Sequence, residues 1–325
     1  MTRARAGTIS PSPSPSPSVT GAAPSSAGRS VLAQYLALAL TWGASFLFIK
    51  MALTGLSPAQ TVLGRLALGA LALNVIMLVT RRRWPRQPVF WAHMGVIALI
   101  LCVVPFLLFA WAGQYIPSGL SSIYNATTPL MTMLVTLAAL RQERLGAAGV
   151  LGLLLGAAGV VVVLAPWNLG AATGPWWAQA ACLGATFCYG LSFAYTRRFV
   201  LAYGHDAPTI AAAQVTVAAL AMLAMGPLLA TGPVRLDLPV VASMAALGVF
   251  GTGLAYVWNT SVIARWGAAT ASTVTYLTPL VGVVLGVVVL GETLAWNQPV
   301  GAVIVVVGIM TGQGVIGSWS GRRSR

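Results

Sequence analysis

Acidic side chains are nearly missing. Four Asp and Glu stand against eighteen Lys and Arg in 325 residues, and charged residues of both signs make up only 7% of the chain. A soluble domain carries about a quarter charged residues, so a water-facing surface cannot be built from this composition. Cysteine and histidine are equally scarce, at three and two. Cys102, Cys182 and Cys188 fall within apolar runs and have no metal-type spacing, which excludes a disulfide scaffold and leaves them as packing residues. His93 at a membrane edge and His205 in a loop provide no buried catalytic constellation of the kind a membrane-embedded enzyme would need. The reading is therefore not an enzyme, with no metal and no cofactor. Residues 1–30 lack the apolar core of a secretory signal. Instead, Ser10–Ser18 repeats Ser-Pro, a composition that stays extended and cannot bury surface.

What remains is apolar. Hydrophobic residues make up 58% of the chain and the mean hydropathy is +0.86. At about 20 residues per crossing, ten crossings would use on the order of 200 residues. Apolar runs near 31–49, 59–79, 89–111, 118–140, 145–165, 176–196, 208–230, 239–261, 269–291 and 298–317 supply them. The predicted fold class is an all-α, polytopic membrane protein with ten transmembrane helices.

A net charge of +14 invites a nucleic-acid reading, because basic patches bind phosphate backbones. Position decides against it. With the N-terminus in the cytoplasm, fifteen of the eighteen basic residues lie on that side, Arg81, Arg82, Arg83, Arg86, Arg197 and Arg198 among them. Only Lys50 and Arg235 fall on the other side, and Arg65 lies within a span. This bias is the positive-inside signature. It predicts a multi-pass protein of the plasma (inner) membrane with both termini cytoplasmic. The expected partners are a small-molecule substrate and the lipid bilayer, with no nucleic acid; a homo-oligomer is compatible with this composition.

The chain also repeats itself once. Trp42-Gly43-Ala44-Ser45-Phe46 matches Tyr189-Gly190-Leu191-Ser192-Phe193 at an offset of 147, which puts Lys50 on Arg197. Gly69-Ala70-Leu71-Ala72-Leu73 matches Ala218-Ala219-Leu220-Ala221-Met222 at 149, placing Arg65 opposite Gln214. Thr128-Pro129-Leu130 matches Thr278-Pro279-Leu280 at 150, and Glu143-Arg144-Leu145 matches Glu292-Thr293-Leu294 at 149. The resulting division is a Ser/Pro-rich cytoplasmic arm over 1–30, five-helix repeats over 31–166 and 175–317, and a basic cytoplasmic tail over 318–325. An odd number of spans per repeat inverts the second copy relative to the first. Inverted repeats recur in secondary transporters, where they let one packing arrangement open to either side.

These residues resemble the EamA-type family of the drug/metabolite transporter superfamily. The likeness rests on Trp42-Gly43-Ala44-Ser45-Phe46 with Lys50, on Arg65, on the approaches to Pro129 and Pro279, and on the Glu-Arg-Leu and Glu-Thr-Leu turns. It covers about residues 31–317 and omits both tails. The resemblance implies a ten-span carrier, commonly an exporter of amino acids or related metabolites, with a central cavity between the halves. Gln214 departs from the pattern by replacing the arginine of the first copy.

Candidate substrate contacts follow from the repeats. Proline within a helix leaves the carbonyl four residues earlier without its donor. Pro129 frees that of Asn125 and Pro279 that of Thr275, each beside a tyrosine, Tyr124 and Tyr276. Broken helices are tolerated in hydrocarbon mainly along protein or a wet cavity, so Pro129 and Pro279 read as hinges; the alternative is a kink that Asn125 and Thr275 heal. Arg65 lies about 9 Å below the outer interface at 1.5 Å per residue, where its guanidinium could hold a substrate carboxylate or snorkel outward. Trp42 and Ser45, with Tyr189 and Ser192 as repeat partners, are cavity candidates or packing residues; Gln214, opposite Arg65, is a further substrate-contact candidate, and Asn259 could line the inner mouth or belong to the aromatic belt. Lys50 and Trp258 read more simply as interfacial residues. The four acidic residues, Glu143, Asp206, Asp237 and Glu292, all fall at span ends or in loops, favouring facilitated or potential-driven export over proton exchange. The expected function is alternating-access transport of a small polar metabolite such as an amino acid. Other metabolites or drugs (a nucleobase, a sugar, a toxic compound) and a channel-like facilitator are the alternatives.

Overall fold

The computed structural model describes residues 26–139, 147–165, 174–266 and 274–312. The Ser-Pro arm, Glu143 and the basic tail lie outside the described residues. Among those described, all regular structure is helical. The first half contributes α1 (Ser26–Ala52), α2 (Pro58–Val79), α3 (Pro88–Ile97), α4 (Val104–Ala112), α5 (Ser118–Asn125), α6 (Thr128–Ala139) and α7 (Ala147–Leu164). The second contributes α8 (Trp176–Tyr195), α9 (Ala207–Leu229), α10 (Leu238–Ala245), α11 (Ala255–Trp266), α12 (Val274–Leu290) and α13 (Asn297–Gly312).

Helix starts follow local chemistry. Ser57 and Gln60 form a reciprocal capping box, with Pro58 entering the first turn of α2, so two orphan donors are satisfied by side chains. Asp237 accepts from the Val240 amide at 2.9 Å and starts α10 in the same way. Wide turns join α3 to α4 and α10 to α11: the π-helical stretches Ala98–Val103 and Ala246–Leu254. They occupy equivalent places in the two halves. Such stretches are uncommon and gather at functional sites.

The fourth apolar run is broken rather than continuous. α5 ends at Asn125 and α6 begins at Thr128, because Pro129 cannot donate back to the Asn125 carbonyl. Pro279 lies inside α12 instead.

Packing between the halves obeys an exchange rule. α2 packs on α9 and α7 on α13, each helix against its own counterpart. α1 packs on α12, and correspondingly α8 packs on α6; α2 meets the π stretch of the second half, while α9 meets that of the first. The halves are therefore interleaved, and neither forms a closed bundle alone. The tightest crossing is α7 on α13, where glycines bring the backbones together. A Cβ on Gly308 would lie 2.5 Å from the Gly156 amide nitrogen, and one on Gly152 would lie 2.5 Å from Gly312. Small residues are what such close membrane crossings require.

The outside of the bundle is apolar: Leu78, Leu228 and Val288 are 78%, 83% and 75% exposed. Lipid, not water, suits that surface. Among the described residues, six helices are long and apolar enough to cross a membrane: Ser30–Ala52, Pro58–Val79, Pro88–Ala112, Ala147–Leu164, Ala207–Leu229 and Leu238–Ile263. The other expected spans coincide with shorter or less apolar helices: the broken α5–α6 pair, the more polar α8, and α12 and α13.

Gly308→Val should lower the folded yield and melting midpoint markedly, since overpacking costs about 1–3 kcal/mol and the obstructing atom is backbone. Gly95→Ala, where a Cβ meets nothing within 4 Å, should leave both unchanged. Size-exclusion profiles and thermal unfolding of the purified variants test the contrast.

Candidate functional site

A cavity of about 740 Å³ lies between the two halves. α1 contributes Trp42, Ser45, Phe46 and Ile49; α2 contributes Arg65; and the π-linked helices contribute Leu101, Phe106, Phe109, Gly251 and Tyr256. The wall continues through Asn125, Thr128, Pro129, Thr132 and Thr136 around the helix break, then Tyr189, Phe193 and Arg197 from the α8 side. Asn259, Ile263, Thr275, Thr278, Ile309 and Gly312 are also among its lining residues. The space thus reaches the ends of α6, α8, α11 and α13 on one side. On the other the described lining stops at Ile49, Phe106 and Phe109, the blind end of the cavity.

Arg65 is the cation at its blind end. The residue is 8% exposed, its Nε donates to Thr252 Oγ1 at 3.1 Å, and its guanidinium lies 3.9 Å from the centre of the Phe106 ring. Thr252 in turn donates to the Leu247 carbonyl, five residues back. That register belongs to the π stretch, so the unusual backbone turns the threonine oxygen towards the arginine. Cys102, Tyr189 and Tyr256 surround the same charge, and Gln214 hydrogen-bonds the Tyr256 side chain. No carboxylate is among the described residues of the wall. A cation stacked on an aromatic ring, with neutral partners, keeps donor capacity for an anionic group.

At Pro129 and Pro279 alike, the freed carbonyl meets a threonine hydroxyl. Thr128 Oγ1 donates to the Asn125 carbonyl at 2.7 Å, and Thr278 Oγ1 donates to that of Thr275 at 3.0 Å. In both repeats the residue before the proline supplies the missing donor. The pair was visible as a matched Thr-Pro, but its hydroxyl is what the carbonyl needed.

Of the sequence candidates, Trp42, Ser45, Arg65, Asn125, Pro129, Tyr189, Asn259 and Thr275 line this space. Tyr124, Ser192, Gln214, Tyr276 and Pro279 do not. Tyr124 is fully buried with its hydroxyl on Gln179 Oε1 at 2.5 Å. Ser192 is buried and donates to the Tyr189 carbonyl. Gln214 acts one contact back, through Tyr256. Lys50 donates to the carbonyls of Gly113 and Ile116 at 2.7 and 2.9 Å, while its repeat partner Arg197 lines the cavity. Trp258 packs beside Leu38, Ala39, Ala255 and Val274. Phe46, Phe106, Phe109 and Tyr256 were missed, because an aromatic residue facing a cavity and one packed in a core leave the same mark in an apolar run. Only Tyr256 gave a signal: it lies one turn before Asn259. The described carboxylates sit at helix starts: Asp237 as above, Asp206 before α9 in an ion pair with Arg82, and Glu292 on α5.

The comparisons with known proteins point the same way. The model of the EamA-like transporter family matches twice, over residues 30–165 and 176–311. The inner membrane transporter YedA of Escherichia coli is 27% identical over 80% of this chain and 82% of its own. A probable terminal-alkyne amino-acid exporter of Streptantibioticus cattleyicolor is 27% identical over 83% of this chain and 89% of its own. One solved crystal structure superposes with a TM-score of 0.60 at 20% identity, covering 90% of this chain and 99% of that one; this likeness concerns fold alone.

Thr252→Val keeps the shape of a buried side chain but removes the acceptor that faces Arg65 Nε. Loss of a hydrogen bond to a charged group should cost about 1.5–3 kcal/mol. The expected result is a lower thermal midpoint by tryptophan fluorescence; an unchanged midpoint would show that the bond does not hold the arginine.

Proposed function

The chain belongs to the EamA-like transporter family, and from that premise we propose that it exports a small carboxylated metabolite, an amino acid being the leading class, by alternating access. In this reading ten crossings form two inverted sets of five, with both termini cytoplasmic. The cavity mouth, at the ends of α6, α8, α11 and α13, then faces the cytoplasm, where the arginines concentrate. The observation that carries the reading is Arg65 at the blind end of a cavity walled by both halves, stacked on Phe106 and without a carboxylate in the described wall. A planar guanidinium offers paired donors to a carboxylate, and the surrounding rings suit an apolar body attached to it. The volume falls within the range of small-molecule sites, about 300–1,000 Å³. The name of the Streptantibioticus relative adds support for amino-acid export. A channel-like facilitator is the second reading, and the end of the described lining at Ile49, Phe106 and Phe109 weighs against it.

A thermal-shift series on the purified protein tests the substrate class, since a ligand that binds the folded state raises the midpoint by mass action. Amino acids should raise it, while the matching amides, nucleobases and sugars should not. Arg65→Ala should abolish the shift while the protein still elutes as folded material. Equal shifts for acid and amide, or a full shift in Arg65→Ala, would remove the arginine from the substrate contact.

A further inference from the structure

Just past the cavity residues Ile49 and Phe109 in the chain, Lys50 and Gly113 lie beside a contact between the two halves. The link from α12 to α13 carries Glu292. Gly291 holds a φ of 63°, a left-handed conformation that favours glycine, and the Glu292 amide then donates back to the Gly286 carbonyl at 3.1 Å. This turn sends the carboxylate across to the first half. Oε1 accepts from the Ser118 amide at 2.6 Å; Oε2 accepts from the Gly119 amide and the Ser118 hydroxyl, each at 3.0 Å. All three donors belong to the first turn of α5.

Two further observations set this contact apart from an incidental cap. A Cβ on Gly286 would lie 2.3 Å from Oε2, so the carboxylate occupies room that only glycine leaves on α12. Lys50, which lies within electrostatic reach of Glu292, grips the Gly113 and Ile116 carbonyls just before α5 begins. The start of α5 is therefore held by α1 through its carbonyls and by the second half through its amides. α5 also packs along α12, with a Gly282 Cβ position 2.5 Å from Ser122. At its other end α5 meets the break at Ala126-Thr127 and then α6, whose Thr132 and Thr136 line the cavity.

We propose that Glu292 is the latch of the closed end, and that it must release Ser118 and Gly119 once in each transport cycle. This inference rests on the alternating-access reading. With the carboxylate released, α5 can part from α12 about the break before Pro129 and open the blind end while α6 closes on the mouth. Because the charged acceptor engages three donors from one turn, its loss shifts the balance strongly towards the open form.

Accessibility from the α5 face tests it. The reporter is Asn125→Cys in the full chain with Cys102, Cys182 and Cys188 replaced by alanine, exposed in oriented vesicles to a membrane-impermeant maleimide on either side. Glu292→Gln should speed labelling from the α5 face roughly tenfold or more and slow it from the mouth. Ser118→Pro is the second variant. It removes two of the three donors yet places proline at the first position of a helix, where it is well accepted, and should shift the rates in the same direction. Unchanged rates in whichever of these variants folds like the parent would overturn the latch. Whether the unlatched reporter's parent exchanges substrate at all is read separately in the same vesicles, so a failed latch and a failed carrier give different results.

Discussion

The constraint on which the rest depends is that a backbone amide or carbonyl in hydrocarbon must find its partner inside the protein. A continuous helix meets it automatically and encloses no site. This chain departs from the continuous helix at several places, and at four of them a specific side chain supplies the partner. Thr128 and Thr278 take the carbonyls that Pro129 and Pro279 leave behind. Lys50 takes those at the end of the third crossing, and Glu292 takes the amides that begin α5. Without these partners the breaks would each leave a desolvated polar group, a penalty of about 1–3 kcal/mol. The charged residues of this apolar protein are few, and Lys50 and Glu292 are used in this way.

The cavity follows from the same departures. Where helices run straight and glycine-rich, as α7 and α13 do, they close on each other and leave no room. Where they are broken or widened, at α5–α6 and in the π stretches Ala98–Val103 and Ala246–Leu254, they stand apart and turn side chains inward. The π register of Thr252 is what lets one hydroxyl both satisfy a carbonyl and receive Arg65. Burial of an arginine is costly, and here Phe106, Thr252 and the tyrosines share its surroundings without neutralising it. The proposed carboxylate contact rests on this placement of the charge.

Much of the architecture was legible because it repeats. Matched pentapeptides announced two halves, the matched Thr-Pro announced a freed carbonyl in each and a helix break in the first, and the lone arginine inside an apolar run announced itself by cost. The parts that could not be read are those set by tertiary contact. Nothing in Ala98–Val103 or Ala246–Leu254 marks a π stretch, since neither contains proline and the extra residue per turn is held by packing against the opposite half. Tyr124 looked like a cavity residue and is buried on Gln179, because a period of 3.6 residues does not say which neighbour a helix face will meet. In the sequence Glu292 is one carboxylate at a span end. Its role across the halves depends on the interleaving of α12 with α5, which no local pattern contains.

The central claim is a carrier with one occluding site rather than a pore, and exchange-accelerated flux tests it most directly. Vesicles containing the purified protein would be preloaded with an unlabelled amino acid that it binds, and uptake of the labelled compound measured against empty vesicles. The account predicts faster uptake with a transient overshoot in the preloaded vesicles, because a loaded site returns with each turnover. Equal uptake in both would contradict it and indicate a continuous path through the membrane.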